Sequence, residues 1–270
     1  MEPNQKFIYT EAGVTAEHLQ FFDTFGFIHY KRFFTPEQIQ RAIQAVEELE
    51  AQWIAEKKDK VFGTPIKYGK DENGRTVIHR FAFASLHHPY LHEMLQDPRI
   101  QELKKFLGDV PDARVAENEK DGLVINHYIN TGESEFTKLG WHTDGLRDLV
   151  LNFKLYPMLN VGIYLDDSPV EKGGLRVLPG THKQGLYQMM FRKKYFVDNT
   201  PDPDELIIEA EAGDLTVHSG RIWHRVALAT VQGAASRRRV MYFPIISGKY
   251  SPKSHRSPTP IYHRFLRMIK

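Results

Sequence analysis

Gly140-Trp141-His142-Thr143-Asp144 is the stretch around which the rest of the chain falls into place. The run before it, Leu123-Val124-Ile125-Asn126-His127-Tyr128, is apolar and β-prone, which predicts that the motif lies on or at the end of a strand. Residues i and i+2 of a strand share a face, so His142 and Asp144 are expected to project together while Thr143 faces away. One imidazole nitrogen and one carboxylate oxygen are two of the three ligands of a 2-His-1-carboxylate site, the set that holds Fe(II) and leaves positions open. A His-x-Asp tripeptide arises by chance in a chain with 13 His and 34 acids, so its meaning depends on the residues further along the chain.

The composition bounds the answer. A chain of 270 residues with 41% hydrophobic content suits one large domain, and 17 Phe, 12 Tyr and 3 Trp can fill a substantial core. The absence of cysteine excludes disulfides, zinc–thiolate sites and thiol nucleophiles. No apolar run approaches membrane-spanning length and the first residues lack an apolar leader core, so a soluble, cytoplasmic protein with no membrane partner is expected. The net charge of +2 conceals an asymmetry: from Leu215 onward there are 11 Lys and Arg and no acid, leaving 25 bases and 34 acids before it. Such a basic part serves an anionic substrate or cosubstrate, or neutralises the acidic remainder of the same globule. The bases are scattered and no nucleic-acid motif accompanies them, so no nucleic-acid partner is expected.

Capping residues mark the helices of the first 110 residues. Thr15 and Gly26 bracket one; Thr35, Pro36 and Gln38 form a capping-box start for a second, with Ile39, Ile43, Val46, Leu49 and Trp53 at helical spacing. Leu91 to Leu107 reads as helix in two pieces, broken at Asp97-Pro98 and closed by Gly108, and Asn73-Gly74 marks a hairpin turn. From residue 122 the character changes to short strands at 122–130, 138–144, 159–166, 174–178, 206–210, 214–218 and 237–246. Many short, closely spaced strands argue for a sandwich or barrel rather than βαβ units. The piece 183–205, with Pro201 and Pro203, reads as an insertion loop of the kind that covers a site.

Three blocks together resemble the phytanoyl-CoA dioxygenase family of Fe(II)/2-oxoglutarate-dependent oxygenases. They are Trp141-His142-Thr143-Asp144; Leu165-Asp166-Asp167 with Gly173-Gly174-Leu175-Arg176-Val177-Leu178-Pro179-Gly180-Thr181-His182-Lys183; and Gly213-Asp214-Leu215 leading to Ile222-Trp223-His224 and Arg237-Arg238-Arg239-Val240. The resemblance spans nearly the whole chain in the right order. It implies a mainly β fold, a double-stranded β-helix (jelly roll, cupin-like) core with N-terminal helices packed on one side. One domain over 1–270 is expected: a mostly helical layer at 1–110, the jelly roll at 120–247 with its insertion at 183–205, and a basic tail at 248–270.

The same resemblance implies His142, Asp144 and His224 as Fe(II) ligands, Arg238 as the partner of the far carboxylate of the cosubstrate 2-oxoglutarate, and Tyr128 as a further cosubstrate contact. The implied reaction consumes O₂, releases succinate and CO₂, and hydroxylates an unactivated C–H bond of a small organic molecule. Relatives that chlorinate carry a small residue in place of the carboxylate; Asp144 argues against halogenation here. Three alternatives stay open at this level. His218 closes a strand and rivals His224 as third ligand, although His224 stands 14 residues before Arg238, a span that suits one hairpin. Strand alternation turns inward either Arg238 alone or the pair Arg237 and Arg239, and the family pattern selects Arg238. The third alternative is a jelly roll that binds metal or ligand without turnover, or a cupin-type enzyme that needs no 2-oxoglutarate. Where relatives often carry small polar residues, the chain has Arg225-Val226-Ala227. His182, His87 and His88 read as loop or helix-start residues. Lys67, Lys70, Arg75 and Arg80 around the hairpin favour an anionic substrate.

Overall fold

The computed structural model describes residues 1–132, 134, 136–146, 148 and 155–260. Its helices are α1 (Ala16–Phe25), α2 (Pro36–Ala55), α3 (Pro89–Gln96) and α4 (Pro98–Glu102), followed by a one-turn-and-more 3₁₀ segment to Leu107 and a short helix at Leu186–Phe191. The capping logic holds in detail: Thr15 and Thr35 each close a capping box, and Gly26 ends α1 at φ 80°. That left-handed turn suits glycine, and a Cβ there would lie 2.3 Å from the His182 ring.

Strands β1 (Phe7–Ile8), β2 (Phe27–Lys31), β3 (Lys60–Val61), β4 (Thr64–Pro65), β5 (Lys67–Lys70), β6 (Thr76–Phe81) and β7 (Arg114–Val115) precede the region of dense strands. That region holds β8 (Val124–Tyr128), β9 (Leu139–His142), β10 (Met158–Tyr164), β11 (Gly174–Val177), β12 (Leu206–Ile207), β13 (Leu215–Ser219), β14 (His224–Ala227) and β15 (Arg238–Ile246). Two sheets share these eight. The larger runs β1-β2-β13-β10-β15-β8-β6-β5, and the smaller β12-β11-β14-β9. Antiparallel pairing that alternates between two facing sheets is a double-stranded β-helix. The first 110 residues are not only a helical layer, since β1 and β2 extend the large sheet beyond β13 while β6 and β5 extend it beyond β8.

Alternation along the strands divides the molecule into a dry side and a polar side. Leu159, Val161 and Ile163 of β10, Leu215 and Val217 of β13, and Met241, Phe243 and Ile245 of β15 join the main core with Ile39, Val46, Leu49 and Trp53 of α2. The helices therefore cover the outer face of the large sheet. The intervening residues, among them Asn160, Gly162, Tyr164, Thr216, His218, Arg238 and Tyr242, belong to the opposite face, which looks towards the small sheet. No helix among the described residues is long and apolar enough to cross a membrane.

The 183–205 piece packs against the small sheet. It returns along β9, with Phe196 N–H donating to Trp141 O and Trp141 N–H donating to Asp198 O, each at 2.8 Å. It also shields the far side of the small sheet, where Arg225 pairs with Glu205 at 2.7 Å and Trp141 Nε1 donates to Thr200 O at 2.8 Å. The residue expected to be small and polar is thus a structural arginine facing away from the interior. The basic tail runs past the β3–β4 turn, with His255 edge-on to Phe62, and its last residues, 261–270, lie outside the described residues.

Candidate metal centre

His142 closes β9 and His224 opens β14, and the two are direct partners across the antiparallel ladder. Register alone sets the imidazoles side by side, with ring centroids 4.0 Å apart. Asp144 stands two residues later, just beyond the end of β9. Its Oδ1 is 4.0 Å from His142 Nε2 and its Oδ2 is 3.8 Å from His224 Nε2. One ligand atom from each of His142, Asp144 and His224 lies within 4.8 Å of the others, close enough for a single ion. His218 is not one of the three residues of that set.

Hydrogen bonds prepare both imidazoles for a metal. Nδ1 of His142 donates to Gly140 O at 2.8 Å and Nδ1 of His224 donates to Ile222 O at 3.1 Å, which leaves each Nε2 lone pair facing the centre. Burial pushes the His142 imidazole below its ordinary pKa, and burial together with the neighbouring His142 pushes His224 well below. Burial would by itself raise the Asp144 carboxyl, but the imidazoles of His224, His218 and His142 outweigh it and hold it well below the carboxylate range. A divalent cation is bound by imidazoles in the neutral form and by a carboxylate in the ionised form, and these shifts run in those directions.

The arginine register follows from β15. Arg238 is buried, opposite Tyr128 on β8, with its guanidinium 4.3 Å from the ring centroid. Its Nε donates to Lys172 O at 3.3 Å, while Nη2 is buried with no partner and no acid pairs with the group among the described residues. Arg239 points to the helix side, held by Asp166 at 2.8 Å and Glu47 at 3.2 Å. Arg237 precedes the strand, more than a third exposed, with Glu72 at 3.6 Å. The hydroxyls of Tyr128, Tyr164 and Thr216 are likewise buried without partners. A Cβ on Gly162 would sit 2.7 Å from the Tyr242 ring and 3.0 Å from Thr216 Oγ1, so these three line one stretch of the interior. The Tyr242 phenol is raised well above its ordinary value by burial and by Tyr164 and Tyr128, and it senses both Arg238 and Asp144. Metal triad and buried guanidinium therefore share one interior. A buried, unpaired cation beside orphaned hydroxyls is costly without an anion, and a dicarboxylate fits the need.

Several participants left little trace in the sequence. Asn160 Nδ2 donates to Asp144 Oδ2 at 3.0 Å, and the only hint was a polar residue within an apolar strand. Phe196, at φ 60°, stacks on His142 with centroids 4.7 Å apart, and the Tyr195 hydroxyl donates to Thr143 O. Phe136 stacks on Tyr128 at 4.9 Å, and Lys67 Nζ lies 4.9 Å from the Phe136 centroid. Only the general expectation of a covering loop pointed to Tyr195 and Phe196. His182 bonds backbone as expected, donating to Asp23 O at 3.0 Å, and His88 caps α3.

A jelly roll with two imidazoles and a carboxylate at one end of its small sheet defines the class of cupin-like mononuclear metal proteins. The chain belongs to the phytanoyl-CoA dioxygenase family, whose sequence model matches residues 22–233. That membership places it among the Fe(II)/2-oxoglutarate-dependent oxygenases. No curated protein matches it in sequence. Among solved structures, it is similar to EctD from S. alaskensis with 2-oxoglutarate and 5-hydroxyectoine, at TM-score 0.66 and 16% identity over 96% of this chain and 87% of that one. It is similar to the non-heme alpha ketoglutarate dependent carbocyclase SnoK from nogalamycin biosynthesis, at 0.63 and 18% over 97% and 94%. The epimerase SnoN in complex with Fe3+, alpha ketoglutarate and nogalamycin RO aligns at 0.59 and 16% over 90% and 85%. At these identities the likeness establishes the fold.

Proposed function

We propose that the chain is a single-domain Fe(II)- and 2-oxoglutarate-dependent dioxygenase that hydroxylates an unactivated C–H bond of a small organic substrate. The observation that carries this reading is the His142-Asp144-His224 triad sharing one barrel interior with the unpaired guanidinium of Arg238. His142, Asp144 and His224 hold the metal, and Arg238 receives the far carboxylate of 2-oxoglutarate. Tyr128, fixed between Arg238 and Phe136, supplies its hydroxyl to the same group. Iron and 2-oxoglutarate, when bound, supply the oxidising chemistry that consumes O₂ and yields succinate and CO₂. The chain contributes orientation and exclusion: Nδ1 contacts keep the imidazoles in one tautomer, and Phe196 keeps one side of His142 dry.

A substrate with an anionic group remains part of this reading on narrower grounds. Arg80 is paired with Asp121 at 3.0 Å and Lys70 bonds Thr76 at 2.9 Å. Lys67 holds its ammonium 4.9 Å from the centroid of Phe136, which stacks on Tyr128, and so brings one base of the hairpin near the cosubstrate contact.

The test begins without oxygen. Fe(II) and 2-oxoglutarate added anaerobically should produce a visible charge-transfer band, and admitting O₂ with a substrate panel should release succinate. A protein that binds metal but gives neither band nor succinate is a binding module or a cupin that needs no 2-oxoglutarate. Product mass separates hydroxylation, which adds one oxygen atom, from the rearrangements implied by the names of the epimerase and the carbocyclase. Gly162→Ala supplies a steric check. Its Cβ should force the Tyr242 ring and Thr216 apart and raise the 2-oxoglutarate KM roughly tenfold or more, about 1.4 kcal/mol, with Fe(II) affinity unchanged.

A further inference from the structure

His218 is buried on the interior face of β13, 1% exposed, and neither ring nitrogen has a hydrogen-bond partner. A buried polar group left unmade costs about 1–3 kcal/mol, so an imidazole with two of them needs a reason. Its cross-strand neighbour on β10 is Asn160, and its ring centroid is 4.6 Å from that of His224. The polar atom it approaches is Asp144 Oδ2, 3.6 Å from Nε2, slightly beyond hydrogen-bond length. Asn160 Nδ2 already donates to that same oxygen at 3.0 Å. Asn160 Nδ2 and, at a longer distance, His218 Nε2 thus approach the same carboxylate oxygen from adjacent strands, while Oδ1 lies 4.0 Å from His142 Nε2.

We propose that His218 is a positioning residue: its Nε2–H joins Asn160 in holding Asp144 Oδ2, so that Asp144 meets the metal through Oδ1 alone. This assignment rests on the His142-Asp144-His224 metal centre. Its consequence is a matter of counting positions. An Fe(II) held by His142, Asp144 and His224 would have to take 2-oxoglutarate and O₂ at its remaining positions, and a carboxylate that bound it through both oxygens would use up one of them. Holding Oδ2 away preserves that position. In this tautomer Nδ1 is an acceptor only.

The test uses the full chain and titration with Fe(II), or with redox-inert Co(II), under anaerobic conditions. His218→Phe keeps the ring volume and removes both nitrogens; it should bind metal about 10–100-fold more weakly, the usual effect of losing a group that orients a ligand. His218→Gln places an amide nitrogen near the position of Nε2 and should return affinity to within about threefold of wild type, whereas His218→Asn, reaching only near Nδ1, should be as weak as Phe. Apo melting temperatures should stay level across the three variants. Wild-type affinity in His218→Phe, or equal rescue by Gln and Asn, overturns the assignment. If the Phe variant does not melt cooperatively, the Gln–Asn contrast decides alone. A wild-type protein that binds no metal overturns the centre itself and this assignment with it, whereas normal wild-type binding with an indifferent His218 overturns this assignment only.

Discussion

Asp144→Ala is expected to abolish saturable Fe(II) binding and every trace of iron-dependent succinate release while leaving the apo fold intact. The carboxylate stands beyond the end of β9, and its contacts are with Asn160 and the imidazoles rather than with the core. Its removal also leaves His142 and His224, both already driven towards neutrality by burial, with no anion to offset a dication. Loss of the ligand and loss of the charge act in the same direction. His142→Ala should abolish binding equally, with a small cost in stability because Phe196 loses the ring it stacks on. Thermal melting supplies the control. A non-oxidising divalent ion at about 100 times its Kd should stabilise the wild type by about 2.7 kcal/mol, several degrees in Tm, and either variant by nothing. Full turnover or an undiminished metal-dependent shift in a purified variant would remove this triad from consideration.

For Arg238→Ala the expected result is a 2-oxoglutarate KM raised by two to three orders of magnitude, corresponding to about 3–4 kcal/mol for truncating a buried, hydrogen-bonded charge pair. Metal affinity should change little, because the guanidinium lies against Tyr128 and Lys172 rather than against the triad. The neighbouring arginines make the comparison informative. Arg237→Ala removes a partly exposed side chain and should be nearly silent. Arg239→Ala breaks the pairing with Asp166 and strands that carboxylate, so it should cost stability, about 3–5 kcal/mol, without a matching rise in KM. Arg238→Lys should recover only part of the loss, since a single ammonium cannot present two parallel N–H donors. Steady-state kinetics on the four variants decides the point; a larger KM effect at Arg239 than at Arg238 would mean that the cosubstrate approaches from the other face of β15.

Much of this was legible in one dimension because the relevant physics is local. Thr15, Gly26, Thr35 and Pro36 set helix ends through their own backbone neighbours, and the period-two runs from Val124 to Ile246 set which side chains face inward. His142 and Asp144 could be picked out by their spacing, although β9 ends at His142 and Asp144 stands beyond it; alternation along β15 left Arg238 alone or the pair Arg237 and Arg239, and the resemblance to the family selected Arg238. The three blocks that resemble the family extended this to His224 and Tyr128. What the sequence could not decide depends on contacts between segments far apart in the chain. His224 is set opposite His142 by the β9–β14 register, and His218 falls outside the triad because β13 belongs to the other sheet. Asn160 reaches Asp144, and Phe196 reaches His142, across loops of no fixed length. Strand pairing and packing distances are properties of the assembled barrel; no periodicity along the chain encodes them, and only the tertiary structure could settle which polar residues meet at the centre.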